Sequence, residues 1–242
     1  MAIARKPFQG VLNIIRFNWH FYVISLLVIA VAYYFGWYII ASLALAGSIF
    51  SLIISWYIYD LSPLYQLNWV SCNHTEQVIV NIHAGFDETS ILLEQKYKGA
   101  TLKIIDFYDP QKHTEISIKR ARKAYPVLPQ TIPSDTNRLP LEDAVADKVF
   151  VIFSAHEIRN EAERREFMRE LARIIKPGGE IFITEHLRDL ANFIAYNIGF
   201  FHFYSKKNWL QHVKDAHLKL DQEIKSTPFI STFIISRNDH SF

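Results

Sequence analysis

Between Phe17 and Tyr59 the chain carries no Asp, Glu, Lys or Arg, and after Asp60 charged residues come thickly. No other feature constrains the fold as much. A hydrocarbon core about 30 Å thick is crossed by roughly 20 apolar helical residues, because a helix rises about 1.5 Å per residue. The uncharged run is about twice that length, too long for one straight crossing and suited to two. It divides into spans at about residues 18–35 and 37–59, turning near Tyr34–Trp37. Aromatic residues gather at the span ends: Trp19, Phe21 and Tyr22, then Tyr33, Tyr34, Trp37 and Tyr38, then Trp56, Tyr57 and Tyr59. Trp and Tyr favour the headgroup level of a bilayer. Ala41, Ser42, Ala44, Ala46, Gly47 and Ser48 are small enough to let the two helices approach closely. The run is too long for a signal peptide and shows no cleavage pattern.

Arg5, Lys6 and Arg16 precede the first span, and positive flanks stay on the cytoplasmic side. A second crossing returns the chain to that side. Residues 1–61 are therefore expected to form a multi-pass anchor in the cell membrane, with residues 62–242 in the cytoplasm. The single cysteine, Cys72, excludes an intramolecular disulfide and agrees with a reducing compartment. A net charge of +2 gives no electrostatic case for nucleic acid. The mean hydropathy of +0.05 averages two unlike parts. The oligomeric state is not legible.

After a connector at Ser62–Asn68, short apolar runs alternate with helical stretches. Strands are expected at Val78–Ile82, Leu102–Phe107, Thr131–Pro133, Val149–Ser154, Glu180–Thr184 and Phe229–Ser236. Helices are expected at Thr89–Lys98, Glu115–Ala124, Ala162–Ile175 and Lys207–Ala216, with Pro177-Gly178-Gly179 ending the third. This alternation implies an α/β fold: a mostly parallel sheet with helices on both faces. In such sheets ligands bind beyond the carboxyl ends of the strands. Polar and ionisable residues follow every strand there: Asn81, His83 and Asp87; Asp106, Asp109 and His113; Asp135; Ser154, His156, Glu157 and Arg159; Glu185 and His186.

Several segments together resemble class I S-adenosylmethionine-dependent methyltransferases, especially the quinone and menaquinone methyltransferase branch. They are Leu139-Pro140-Leu141-Glu142-Asp143, Ser154-Ala155-His156-Glu157-Ile158-Arg159-Asn160, and the run from Arg169 to Lys176-Pro177-Gly178-Gly179. The resemblance covers about residues 78–237 and implies a Rossmann-like domain with S-adenosylmethionine as cofactor. By position, Asp106 would hold the ribose hydroxyls, Asp135 would lie near the adenine, and Ser154 would line the methionine end with His156. Asn81, His83 and Gly85 belong to the cofactor loop. That loop departs from the family pattern. Asn81 stands where an acid is usual, His83 and Asp87 stand where glycines are usual, and Gly85 remains.

His156 has the residue type for a general base, its unperturbed pKa lying near neutrality. Glu157, Glu185 and His186 are candidates to orient it or hold the acceptor, and Arg159 to hold an anionic oxygen. The aromatic stretch from Asp189 to Tyr204 suits a cover over a lipophilic acceptor or contact with a membrane. The expected activity is methyl transfer to a lipophilic small molecule, such as a quinone, phenolic or polyene lipid, beside the bilayer. Two alternatives stand beside it. One is an enzyme of the same fold using a metal held by some of these His and acidic residues, or using the cofactor differently. The other is a non-catalytic binding or scaffold protein.

Overall fold

A computed structural model describes residues 5–238. Two long helices come first, α1 (Gln9–Tyr34) and α2 (Tyr38–Trp56), reversing at Gly36, whose φ of +74° suits a residue without a side chain. Both are long and apolar enough to cross a membrane by length and composition. Helix α1 starts earlier than the expected span and is bent at Asn18, where φ and ψ are −116° and 18°. There the Asn18 side chain donates back to the Ile14 carbonyl. The bend separates a polar first segment from the uncharged one. Ser25 and Ser48 hydrogen-bond between the helices at 2.7 Å. Gly47 serves a different neighbour from the one expected, since a Cβ there would meet Asn197 at 3.2 Å.

The α/β part contains β1 (Val78–His83), α3 (Ser90–Lys96), β2 (Thr101–Asp106), α4 (Ile116–Ala124), β3 (Thr131–Pro133), β4 (Ala146–Ile152), α5 (Glu161–Ile174), β5 (Ile175–His186), α6 (Leu190–Tyr196), α7 (Lys206–Asp215), β6 (Leu218–Thr227) and β7 (Ile230–Arg237). The sheet has the order β3-β2-β1-β4-β5-β7-β6. The first five strands pair in parallel, and β7 lies antiparallel between β5 and β6. The expected Rossmann-like, mostly parallel architecture is present. Side chains alternate across the sheet as the two-residue strand period requires. Val80, Ile82, Val149, Val151, Ile181 and Ile183 pack with Ile118, Phe167, Leu171 and Trp209 of helices α4, α5 and α7. Ile79, Phe150 and Phe182 face the other way, onto Leu93 of α3 and onto Leu67 and Val70.

Three elements depart from the sequence reading. Lys176-Pro177-Gly178-Gly179 does not separate helix from strand, because β5 already begins at Ile175 and bulges between its pairings with Ala146 and Lys148. Gly179 fits there because a Cβ would come within 2.9 Å of the Asp147 carbonyl. Strand β6 was not anticipated; it is an edge strand whose mostly polar composition hides it. The connector is packed rather than free. The Ser62 hydroxyl accepts from the Leu64 N–H, and Leu64, Leu67 and Val70 are buried.

The two ends of the hairpin are fastened to each other at its base. Asp60 accepts from the Gly10 and Val11 N–H groups, both at 2.8 Å, and so satisfies donors that a helix start leaves free. Gly10 has no room for a side chain there, since a Cβ would lie 2.3 Å from that of Tyr59. Replacing Asp60 by Ala should cost about 1 kcal/mol, the usual value of a helix-start acceptor. A lowered thermal midpoint of the full chain in detergent, with faster proteolysis near residue 10, is the expected result.

Candidate active site

A cavity of about 200 Å³ lies at the carboxyl ends of β1 and β4. Strand order reverses between these two strands, the point where open α/β sheets bind ligands. Its floor comes from Ala84, Phe86, Glu88 and Thr89 after β1 and from Ile152, Phe153 and Glu157 after β4. Its roof comes from Asn13, Ile14 and Phe17 of the polar segment of α1, with Tyr59 and Tyr65 beside them. The N-terminal helix thus forms part of the site. Glu88 holds the roof down: it accepts from Arg5 at 3.0 Å and from the Tyr65 hydroxyl at 2.8 Å. Asn13 pairs with the Tyr125 hydroxyl at 2.8 Å. Sequence reading missed Glu88 and Tyr65, because an acid in a loop and a Tyr in a connector carry no signal of what packs against them.

Among the expected site residues only Glu157 lines this cavity directly. Asn81 is spent on its own loop, donating to Ser90 at 2.8 Å and Thr89 at 3.1 Å. Ser154 donates to the Ile82 carbonyl and ties β4 to β1. Asp106 is buried at the end of β2, where it accepts from the Tyr108 N–H and from Arg122 at 2.5 Å. Asp135 is exposed and makes an isolated bridge with Arg138. His83 Nδ1 accepts from the Gly85 N–H, so the ring proton sits on Nε2. Burial lowers the pKa of His83 below its ordinary value, against the pull of Asp87 and Asp106. Its Nε2 and Asp87 Oδ2 are 4.0 Å apart, and among the described residues both are buried without a hydrogen-bond partner.

A second cluster forms at the ends of β4 and β5. His156 Nδ1 lies 2.6 Å from Glu185, and Nε2 lies 3.3 Å from Glu157. His202 joins from the aromatic stretch, with Nε2 3.8 Å from Glu157 and Nδ1 3.0 Å from Glu115. Arg159 bonds Glu115 at 2.9 Å and the His202 carbonyl at 2.7 Å. Burial disfavours a charged His156, but Glu185 and Glu157 outweigh it and lift its pKa to about 10. The near-neutral titration assumed for His156 from its residue type therefore does not hold in this environment. Burial also disfavours an ionised Glu157, yet hydrogen bonds from His156 and His202 hold it well below the usual carboxylate range. The pool of His and acidic residues expected along the sheet edge separates into this group and the His83–Asp87–Asp106 group. His113 joins neither, since its Nδ1 accepts from the Asp109 N–H.

His186 turns away from both. Its Nδ1 faces the Asn192 side-chain oxygen and the Phe229 carbonyl, both acceptors at 3.0 Å, so Nδ1 carries the proton. Nε2 then accepts from the Tyr59 hydroxyl at 2.7 Å. A neutral ring so placed joins the hairpin exit to β5, α6 and β7.

The comparisons with known proteins agree with this geometry. Residues 85–183 match the family described as a methyltransferase domain. Over those residues the chain is similar to class I S-adenosylmethionine-dependent methyltransferases. It is 29% identical over 137 residues to the ubiquinone/menaquinone biosynthesis C-methyltransferase UbiE of Caulobacter vibrioides, covering 55% of this chain and 51% of that protein. To the protein of that name from another Caulobacter it is 32% identical over 102 residues, covering 41% of this chain and 39% of that one. The chain thus spans about half the length or less of these relatives. A SAM-dependent methyltransferase from Aquifex aeolicus shares the fold with a TM-score of 0.55 at 16% identity, over 78% of this chain and 97% of that one. Another, from Methanosarcina mazei, gives 0.51 at 16% identity, over 74% of this chain and 98% of that one.

The family's cofactor is S-adenosylmethionine, and the residues at β1 and β2 fit it. A buried N–H donor on His83 and a buried acceptor on Asp87 stand together without partners, as an α-amino-acid end requires. Gly85, at φ +87°, has Arg122 and Tyr108 within about 3.0 Å of where a Cβ would stand, so Arg122 covers it as well as Asp106, which can accept two hydroxyl protons once free. The Arg122 guanidinium, a third exposed, must leave Asp106 first.

Burial, together with the charges of His156 and His202, lowers the pKa of His186 from its ordinary 6.5 to about 4, although bonds to Asn192 and Phe229 oppose it. An unfolded His protonates at higher pH than this buried one, so its contribution is complete above pH 6.5 and is lost as pH falls toward 4. Acid unfolding of the full chain should therefore steepen across that window. His186→Phe should flatten it there; an unchanged profile would contradict the assignment.

Proposed function

We propose that this chain is a membrane-anchored methyltransferase that moves a methyl group from S-adenosylmethionine to a lipophilic small molecule carrying an ionisable oxygen or an activated ring carbon. A quinone-type or phenolic lipid fits best. The observation that carries the reading is the shared wall: the α1 segment over the cavity runs directly into the uncharged helix. A substrate dissolved in a bilayer would meet the site without crossing water. The distant likeness to UbiE supports a quinone-type acceptor.

Several features support the membrane half of the reading. Residues 1–61 act as the anchor and residues 62–242 as the catalytic domain, on the side marked by Arg5, Lys6 and Arg16. Helix α6 packs along α2, where its end reaches Gly47, about 13 Å along the helix from Trp56. Leu190, Ile194, Ile198 and Phe201 of this segment are exposed, apolar surface that suits a lipid interface. A cleft of about 270 Å³ between α1 and α2, lined by Ile15, Tyr22, Leu26, Ile29, Leu45 and Leu52, suits an alkyl or isoprenoid tail.

S-adenosylmethionine, when bound, supplies an electrophilic methyl group. The protein's part is mainly to position the reactants, which can contribute about 7–11 kcal/mol. In this reading Asp106 holds the ribose hydroxyls, and Asp135 stands on the adenine side. Asn81 braces the loop, Gly85 opens its backbone, and His83 and Asp87 take the amino-acid end. Ser154 fixes β4 against β1. Glu157 faces the acceptor cavity, with His156 oriented by Glu185 beside it; Arg159 pins the segment bearing His202. His186 locks the hairpin exit.

Calorimetry with S-adenosylhomocysteine tests the cofactor assignment. Asp106→Ala should weaken binding at least tenfold, and Arg122→Ala should tighten it by freeing Asp106. No binding by the unmodified chain at millimolar ligand would refute the proposal. Full chain in vesicles containing a long-chain quinol, supplied with methyl-labelled cofactor, should transfer label to the lipid fraction. Label passing only to water-soluble acceptors would overturn the lipophilic assignment.

A further inference from the structure

Resting on that reading, we propose that His156, Glu157 and His202 form a site for a divalent transition-metal cation of the Zn²⁺, Fe²⁺ or Mn²⁺ type, which takes the oxygen of the acceptor. One ligand atom from each of the three residues lies within 4.8 Å of the others. Glu157 Oε1 is 3.3 Å from His156 Nε2 and 3.8 Å from His202 Nε2. Ligands about 2.0–2.1 Å from a tetrahedral zinc ion stand roughly 3.4 Å apart, so the cluster is close to ligand geometry without an ion.

The outer contacts carry the case further. Imidazole ligands of metals characteristically donate their other ring nitrogen to a carboxylate, which sets the tautomer and aims the free nitrogen at the ion. Both imidazoles are held this way. His156 Nδ1 is 2.6 Å from Glu185, which is fully buried and also accepts the His156 backbone N–H. His202 Nδ1 is 3.0 Å from Glu115. Both Nε2 atoms are thereby directed to the same oxygen of Glu157. An ion-pair network alone has no need for this double arrangement.

Charge agrees. Glu157 and Glu185 pair with His156 and only Glu115 pairs with a guanidinium, that of Arg159, so with both imidazoles neutral as ligands the three carboxylates leave an excess of negative charge that a divalent ion would neutralise. Arg159 lies 2.6 Å from His202 Nε2 and also contacts Nδ1, so it must withdraw from the His202 ring before Nε2 can hold a cation. Its side chain is 38% exposed and has solvent to move into, whereas His156 and Glu157 do not. Two imidazoles and one carboxylate leave a coordination position open, as in catalytic rather than structural sites. Glu157 lines the cavity, so the open position faces the space assigned to the acceptor. A hydroxyl or enol oxygen there would ionise more readily beside the cation. This would supply the function that the paired carboxylates make difficult for His156 alone.

The test uses full chain in detergent, stripped with chelator and titrated with Zn²⁺ and with Co²⁺. One equivalent of Zn²⁺ per chain is expected, with visible Co²⁺ absorption bands showing nitrogen coordination. His202→Ala and Glu157→Gln should each weaken Zn²⁺ binding at least a hundredfold, while Arg159→Ala should tighten it. S-adenosylhomocysteine affinity, measured on the same samples, should stay within a few fold in His202→Ala. That readout separates failure of the metal site from failure of the cofactor reading, and confirms that the variant is folded. Absence of stoichiometric binding by the unmodified chain, or binding equal in all variants, would overturn the site.

Discussion

The carboxylate of Glu88 ties together the parts that make this protein more than an α/β domain beside a hairpin. It lies in the loop after β1, the loop a nucleotide-binding fold reserves for its ligand. It takes the guanidinium of Arg5 and the hydroxyl of Tyr65. Both partners precede the sheet in the chain, so one largely covered acid fastens roof to floor. Removing such an acceptor would leave several buried donors unpaired, which costs more than a hydrogen bond contributes. Asp60 repeats the device from the hairpin side by accepting the first N–H groups of α1. The bend at Asn18 divides the helix into a mixed segment, with Asn13, Ile14 and Phe17 over the cavity, and an uncharged segment beyond it.

The departure of the first loop from the glycine-rich pattern gains a physical account from this arrangement. Glycines in that loop let a backbone come close to a cofactor. Here His83 and Asp87 occupy positions usually held by glycine, and both are buried with polar atoms unpartnered among the described residues. Asn81, in the position of the usual acid, spends its amide on Thr89 and Ser90 and so fixes the start of α3. The arrangement leaves Arg122 over Gly85 and on Asp106, so the end of β2 is closed by a guanidinium that is itself a third exposed.

The strands and helices around this site were legible because their signals are local. Two-residue alternation of apolar side chains marks a strand, and strand–helix alternation implies a parallel sheet. Boundaries moved where composition misled. Pro177-Gly178-Gly179 reads as a stop but forms a bulge inside β5, and the polar edge strand β6 resembles a loop. Of the residues chosen for the site, His156, Glu157 and Glu185 do meet, whereas His186, Asn81 and Ser154 are occupied in holding elements together. Residue type alone cannot separate an imidazole that faces a cavity from one whose two nitrogens are already bonded.

By itself the sequence determined that the chain has an uncharged double-length helical run and an α/β domain whose polar residues collect at the strand ends. Those properties depend on composition and periodicity, which are written along the chain. Only the tertiary structure decided that the first helix roofs the cavity and that His202, distant in sequence and embedded among aromatics, completes the His156–Glu157 cluster. It also decided that Asp106 is paired with Arg122. Each of these is a meeting of side chains far apart in sequence. Their distances follow from how the helices settle on the sheet, and no local pattern encodes that.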